Sequence, residues 1–357
     1  MKIAVVVGTR PEIIKMAPVV RACITRGVPY VLLHTGQHYS YEMDGVFFEE
    51  LGLPQPDRNL SVGSGSQPYQ VGAIVSGMEP LLTELEPDVL LVEGDTNSVL
   101  AAALAANTMG IRVGHVEAVL RSYDRGMPEE INRILTDHLS DHLFAPTEHA
   151  RRILRGEGVA QERIHVTGNT VVDELLLQRA RAERPGLLER FQVENGRYAL
   201  ATVHRAENTD RPSRLSGIFR GLAETAGALG IPVLAALHPR TVSRLRDQGL
   251  DVERGVRVLP PLGYLDFLGL HVHAALVLTD SGGLQEEACS LHVPCVTLRD
   301  NTERPESVEV GANVLAGAEP DSIVAAARRM MARARDWANP FGDGRSGLRI
   351  VDLLRAA

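Results

Sequence analysis

No stretch of this chain approaches the roughly 20 consecutive apolar residues that a membrane-spanning helix needs. The first apolar run, Ile3 to Val7, is far shorter and leads to charge rather than to a small-residue cleavage site, so no export signal is read there. Cysteine is nearly absent: Cys23, Cys289 and Cys295 stand singly, without metal-type spacing, each in an apolar stretch that suits a buried thiol. A soluble protein in a reducing cytoplasm fits that pattern. The 12 histidines include no His-x-x-x-His pair set on a helix and no Cys/His cluster, so no metal site is expected. Positive charge is not in excess either. With a formal net charge of −8, no field attracting nucleic acid or an anionic membrane covers the whole molecule, and any bound phosphate must be held locally. Short-period repeats and low-complexity tracts are also missing.

What is present is a globular composition, 44% hydrophobic and 23% charged, on a chain of 357 residues. At about 100–200 residues per domain, two domains are expected. Buried β-branched runs recur ahead of helical periodicity at 3–7, 30–34, 88–92 and 113–116, with shorter runs at 142–145 and 164–166. Continuous apolar runs of this kind read as strands of a parallel sheet covered on both faces. A charged stretch at 179–196, carrying Pro185 and Gly186, precedes a second series at 198–203, 233–237, 256–259, 275–279, 294–298 and 313–315. The expected organisation is a Rossmann-like domain over 1–180 and a second over 197–340. The segment 341–357 holds an amphipathic helix that packs back on the first domain.

In open parallel sheets, ligands bind outside the carboxyl ends of the strands, so polar residues at strand ends carry the functional reading. Ser281-Gly282-Gly283 follows an apolar strand and opens a helix, where free amides and the helix dipole suit a diphosphate. Glu287 lies six residues after Ser281, placed to accept ribose hydroxyls. The same serine also reads as an ordinary N-cap. In the first domain, Gly8-Thr9-Arg10-Pro11-Glu12 forms a similar turn, with Arg10 available to an anion. No Gly-x-Gly-x-x-Gly follows the first strand, so no nicotinamide cofactor is implied. Asp95, Glu117 and Glu129 fall on one rim and suit acid–base chemistry. Strand alternation sets Val113, His115 and Glu117 on one face. Two local readings stay open beside that one: Asp95 as a helix cap, and Glu129 as an ion-pair partner of Arg133 four residues on. His204 and His238 end strands of the second domain and read either as cleft residues or as structural histidines.

Taken in order along nearly the whole chain, these segments resemble the non-hydrolysing UDP-N-acetylglucosamine 2-epimerases. The residues that carry the resemblance are Gly8-Thr-Arg-Pro-Glu-x-x-Lys15, Gly94-Asp-Thr96, Gly114-His-Val-Glu-Ala118 with Leu120-Arg121, and Pro128-Glu-Glu-x-Asn-Arg133. They continue with Gly168-Asn-Thr170, His204-Arg205, Asp280-Ser-Gly-Gly-x-Gln-Glu-Glu-Ala288 and Arg299-Asp-x-Thr-Glu-Arg-Pro-Glu306. The resemblance implies a GT-B fold, two facing Rossmann-like domains with an interdomain cleft. It implies reversible epimerisation of UDP-GlcNAc to UDP-ManNAc, by elimination of UDP to a 2-acetamidoglucal and re-addition, for polysaccharide biosynthesis, with no cofactor. Asp95, Glu117 and Glu129 are then the catalytic carboxylates, and His204 sits near the leaving diphosphate. Arg10, Lys15, Arg133, His238, Ser281, Gly282, Gly283, Glu287 and Arg304 hold the substrate, and a homodimer is expected.

Two positions depart from the family pattern. Val119 stands where a glycine is usual, which points to altered sugar specificity or a hydrolysing variant as alternatives. Gln37-His38-Tyr39 departs at an allosteric substrate site. Two further readings compete: a GT-B glycosyltransferase, which needs an acceptor, and a non-catalytic UDP-sugar sensor.

Overall fold

A computed structural model describes residues 1–37, 48–250, 252 and 254–357, so His38 and Tyr39 lie outside the described residues. The chain divides into two units, Met1–Glu174 with Phe341–Ala357, and Leu175–Pro340. The division falls inside the helix Thr170–Ala182, ahead of the charged stretch.

In the first unit, seven strands form a wholly parallel sheet: β1 (Ile3–Val7), β2 (Tyr30–His34), β3 (Arg58–Asn59), β4 (Val89–Glu93), β5 (Arg112–Val116), β6 (His142–Ala145) and β7 (Ile164–Val166). Their order is β3-β2-β1-β4-β5-β6-β7. Every residue of β1 and β4 is buried, as a strand covered on both faces requires. The helices Gln67–Leu85 and Asn97–Thr108 cover one face, the first burying Ile74, Met78 and Leu82 at four-residue spacing. Each such side chain contributes on the order of 1.5–3 kcal/mol. β3 is absent from the strands expected above. Its two residues are exposed and polar, so no apolar run marks it.

The chain turns back between β1 and β4: β2 and β3 lie to one side of β1, β4 to β7 to the other. Such a switch opens a crevice at the carboxyl ends of the two central strands, and the loops after β1, β4 and β5 surround it.

The C-terminal helix Ser346–Ala356 packs on the helix Arg10–Arg26 of this unit. The Asp173 carboxylate accepts from the amides of Ser346 and Gly347 at 3.0 and 2.8 Å. The approach is close enough that a Cβ on Gly347 would lie 2.6 Å from the carbonyl oxygen of Pro18.

The second unit has six parallel strands: β8 (Ala199–Thr202), β9 (Val233–Ala236), β10 (Val256–Leu259), β11 (Leu276–Thr279), β12 (Cys295–Thr297) and β13 (Asn313–Leu315), ordered β10-β9-β8-β11-β12-β13. Here the switch falls between β8 and β11, whose last residues meet through a 2.6 Å contact between the hydroxyls of Thr202 and Thr279. His204 follows one of these strands and Ser281 the other. Among the described residues, no helix is long and apolar enough to cross a membrane, and no group of three or more Cys, His, Asp and Glu is placed to hold a metal ion.

Candidate active site

The crevice of the first unit gathers several buried acids. Glu12, in the first turn of the helix that opens at Arg10, is 2% exposed. Its carboxylate accepts from the Gly8 amide at 2.5 Å, the Thr96 hydroxyl at 2.6 Å and the Thr9 hydroxyl at 3.1 Å, tying the loop after β1 to the loop after β4. Burial pushes this carboxyl up to about 7 against those hydrogen bonds, with help from the nearby Asp95 charge. One turn on, the Lys15 ammonium lies 2.6 Å from Glu117 and 2.9 Å from Glu93, both nearly fully buried. Asn169 donates a further hydrogen bond to Glu117 at 3.1 Å.

Glu117 reaches this cluster by leaving the strand pattern. β5 ends at Val116, and Glu117 takes a φ of 60°, so the alternation expected for Val113, His115 and Glu117 stops one residue short. His115 turns instead to the Asp137 carboxylate at 2.7 Å and to the Gly94 carbonyl at 2.8 Å. Val119, Leu120 and Tyr123 also have positive φ, at 88°, 40° and 58°. That run of left-handed backbone is strained for side chains with a Cβ, and for β-branched Val119 most of all. It is pinned on both sides. Arg121 donates to the Val119 carbonyl at 2.9 Å while paired with Asp137 and Glu157, Arg133 donates to the Leu120 carbonyl, and the buried Glu130 carboxylate accepts from the amides of Ser122 and Tyr123 at 2.8 and 3.1 Å.

Asp95 is not a cap. Thr96 caps the helix Asn97–Thr108, and Asp95 pairs with Arg133, while Asn132 donates to its backbone carbonyl at 3.0 Å. The pairing expected between Arg133 and Glu129 is replaced by Asp95 and, at 3.4 Å, Glu130. Glu129 is exposed on the first turn of the helix Pro128–Leu139. Arg10 is exposed at the start of its own helix.

In the second unit, the helix Gly282–Ser290 begins at the β11 switch point. Ser281 caps it, its hydroxyl accepting from Leu284 at 3.4 Å, while Gly282 and Gly283 occupy the first turn, whose amides find no acceptor within a helix. A Cβ on Gly283 would meet nothing within 4 Å, so this chain's own packing does not demand glycine there. Arg304 pairs with Glu286 behind this turn, and Arg299 joins Glu303 and Glu207 at 2.7 Å each. Burial alone would raise Glu303, yet Arg299 and Arg304 hold it at about 2. Glu287 is partly buried on the same helix.

His204 is fixed by Asp280, which is wholly buried and accepts from its Nδ1 at 3.2 Å as well as from the amides of His204 and Arg205 at 3.0 Å. Burial works against the Asp280 charge, but His204, then Arg205 and Asn208, hold the carboxyl below the usual carboxylate range. With the carboxylate on Nδ1, the other ring nitrogen of this half-exposed histidine is Nε2. The Nδ1 of His238 accepts from the Arg240 amide at 3.2 Å and so caps the helix Pro239–Asp247.

A family model described as UDP-N-acetylglucosamine 2-epimerase matches residues 22–355. This chain belongs to that family. Among its relatives is the UDP-N-acetylglucosamine 2-epimerase of Methanocaldococcus jannaschii, 48% identical over 99% of each chain. The UDP-2,3-diacetamido-2,3-dideoxy-D-glucuronate 2-epimerase of Pseudomonas aeruginosa is 42% identical, again over 99% of each. The crystal structure of the M. jannaschii enzyme, in complex with UDP-GlcNAc and UDP, superimposes with a TM-score of 0.91 over 100% of both chains at 48% identity. The two parallel-sheet units are the fold of these epimerases.

Within the epimerase frame, the structure adds residues that the sequence motifs do not single out for a role. Glu93, Asp280 and Glu130 each hold an expected site residue or its loop, and all three are nearly fully buried. A signal exists for Glu93, an acid closing an otherwise apolar strand. Lys15, expected at the substrate, is engaged by carboxylates.

Proposed function

We propose that this protein interconverts UDP-GlcNAc and UDP-ManNAc by inverting the sugar at C2. The observation that carries the reading is full-length similarity to UDP-N-acetylglucosamine 2-epimerases, together with buried acids gathered around a lysine at the β1/β4 crevice. In this reading the first unit moves protons and the second holds the nucleotide. One carboxylate among Asp95, Glu117 and Glu129 takes the proton from C2 as the C1–O bond breaks and UDP departs with the bonding pair, leaving a 2-acetamidoglucal. A second acid delivers a proton to the opposite face of C2, and the UDP oxygen adds back to C1. His204, oriented by Asp280, stabilises the charge gathering on the departing diphosphate. The amides of Gly282 and Gly283 with Arg304 bind that diphosphate, Glu287 binds the ribose, and Arg10 and His238 offer further donors. Every step is a proton transfer or a change at one C–O bond, so neither nicotinamide nor metal is needed. A homodimer in the cytoplasm belongs to the same reading.

The Pseudomonas relative supports a second substrate for the same chemistry, a UDP-linked diacetamido uronic acid. The experiment incubates the protein with each UDP-sugar and no acceptor, followed by proton NMR. Conversion of UDP-GlcNAc to a manno-configured UDP-sugar is expected. Accumulation of free UDP and free sugar, a requirement for an acceptor, or turnover of the uronic acid alone overturns the assignment.

A further inference from the structure

Glu93 closes β4, is 1% exposed, and sits in register beside Val116, the residue before Glu117. Lys15 lies between the two carboxyls, and Glu12 faces them from the same helix as Lys15; β1, on the other side of β4, contributes only apolar residues. One ammonium neutralises one carboxylate. A second charge in the same buried space is costly, so one of the two acids keeps its proton. Geometry says which. Glu117 is nearer the ammonium and accepts from Asn169, whereas Glu93 Oε1 has no hydrogen-bond partner beyond the Lys15 ion pair. We propose that Glu93 is a positioning residue for proton transfer at Glu117: by holding a proton of its own it leaves Lys15 committed to Glu117, which stays ionised and aligned. Burial, followed by the charges of Glu117 and Glu12, raises Glu93 well above the ordinary carboxyl range, in line with this arrangement. As pH rises and Glu93 ionises, it competes for the ammonium and the alignment is lost. The inference rests on the reading of Glu117 as an acid–base group.

The test compares full-length wild type, Glu93→Gln, Glu93→Asp and Glu117→Gln. Infrared difference spectra of wild type minus Glu93→Gln at neutral pH are expected to show the C=O stretch of a buried protonated carboxyl. In Glu93→Gln the alkaline limb of kcat moves to higher pH by about one unit, KM for UDP-GlcNAc stays within about twofold, and Glu93→Asp returns the limb toward wild type. No carboxylic acid band, or an alkaline limb superimposable on wild type while Glu117→Gln is inactive, overturns the proposal. Normal turnover by Glu117→Gln instead overturns the role of Glu117 itself, and the infrared band still decides whether Glu93 holds the proton.

Discussion

Val119 shows how a single side chain exposes a conflict between packing and backbone. Its φ of 88° belongs to the region where glycine is at ease, yet its side chain is 1% exposed and packed with Leu143, Leu154 and Ile164. Replacing a buried valine with glycine ordinarily forfeits about 1.5–3 kcal/mol of burial and adds roughly 0.5–1 kcal/mol of chain entropy. At this position the left-handed backbone offsets about 1–2 kcal/mol of that loss. Val119→Gly is therefore expected to lower stability by no more than about 3 kcal/mol in urea unfolding; a loss of about 4 kcal/mol or more would show that no strain is relieved. The sequence marks this position, because a β-branched residue stands where the family has glycine. It does not mark the left-handed turn at Glu117, since alternation describes a strand only as long as the strand lasts. Nor does it reveal that Arg133 passes over Glu129 for Asp95, a partner 38 residues away.

At the scale of elements, the helix Arg10–Arg26 is the one on which the first unit's site is hung. Arg10, Glu12 and Lys15 project from its first turns, and Glu12 links its start to the loop after β4. Because burial raises the Glu12 carboxyl to about 7, the folded protein binds that proton more tightly than the unfolded chain does, where the value is 4.5. Its contribution to stability is thus complete below about pH 4.5 and is lost as pH rises toward about 7, a change of roughly 3 kcal/mol. Glu12→Gln, which cannot titrate, is expected to gain on wild type by up to that amount between about pH 5 and about pH 8 in urea unfolding. Parallel profiles for the two proteins would contradict a buried, proton-holding Glu12. The central strands of both sheets were legible because a strand buried on both faces has to be a continuous apolar run. β3 was not, since two exposed polar residues at a sheet edge leave no pattern. The buried acids were only partly legible: sequence shows an acid at a strand end, but not which cation the fold brings to it.

For the molecule as a whole, two sheets of the same construction have been given different chemistry at the same structural place, the switch point. One carries acids around a lysine after β1, β4 and β5; the other carries a capped helix start and a carboxylate-held histidine after β8 and β11. With a net charge of −8, neither role relies on a field over the whole surface. The chain also returns at Phe341 to finish the first unit. The proposed division of labour, protons moved by the first unit and nucleotide held by the second, is tested most directly by deuterium incorporation at C2 of UDP-GlcNAc in D2O. The exchange is read by NMR for wild type, Glu117→Gln and Glu287→Ala at rising substrate. It should be lost by at least about 100-fold in Glu117→Gln at every concentration, and recovered toward wild type at high substrate in Glu287→Ala. Exchange by Glu117→Gln at the wild-type rate, or a Glu287→Ala defect that substrate does not relieve, would contradict it.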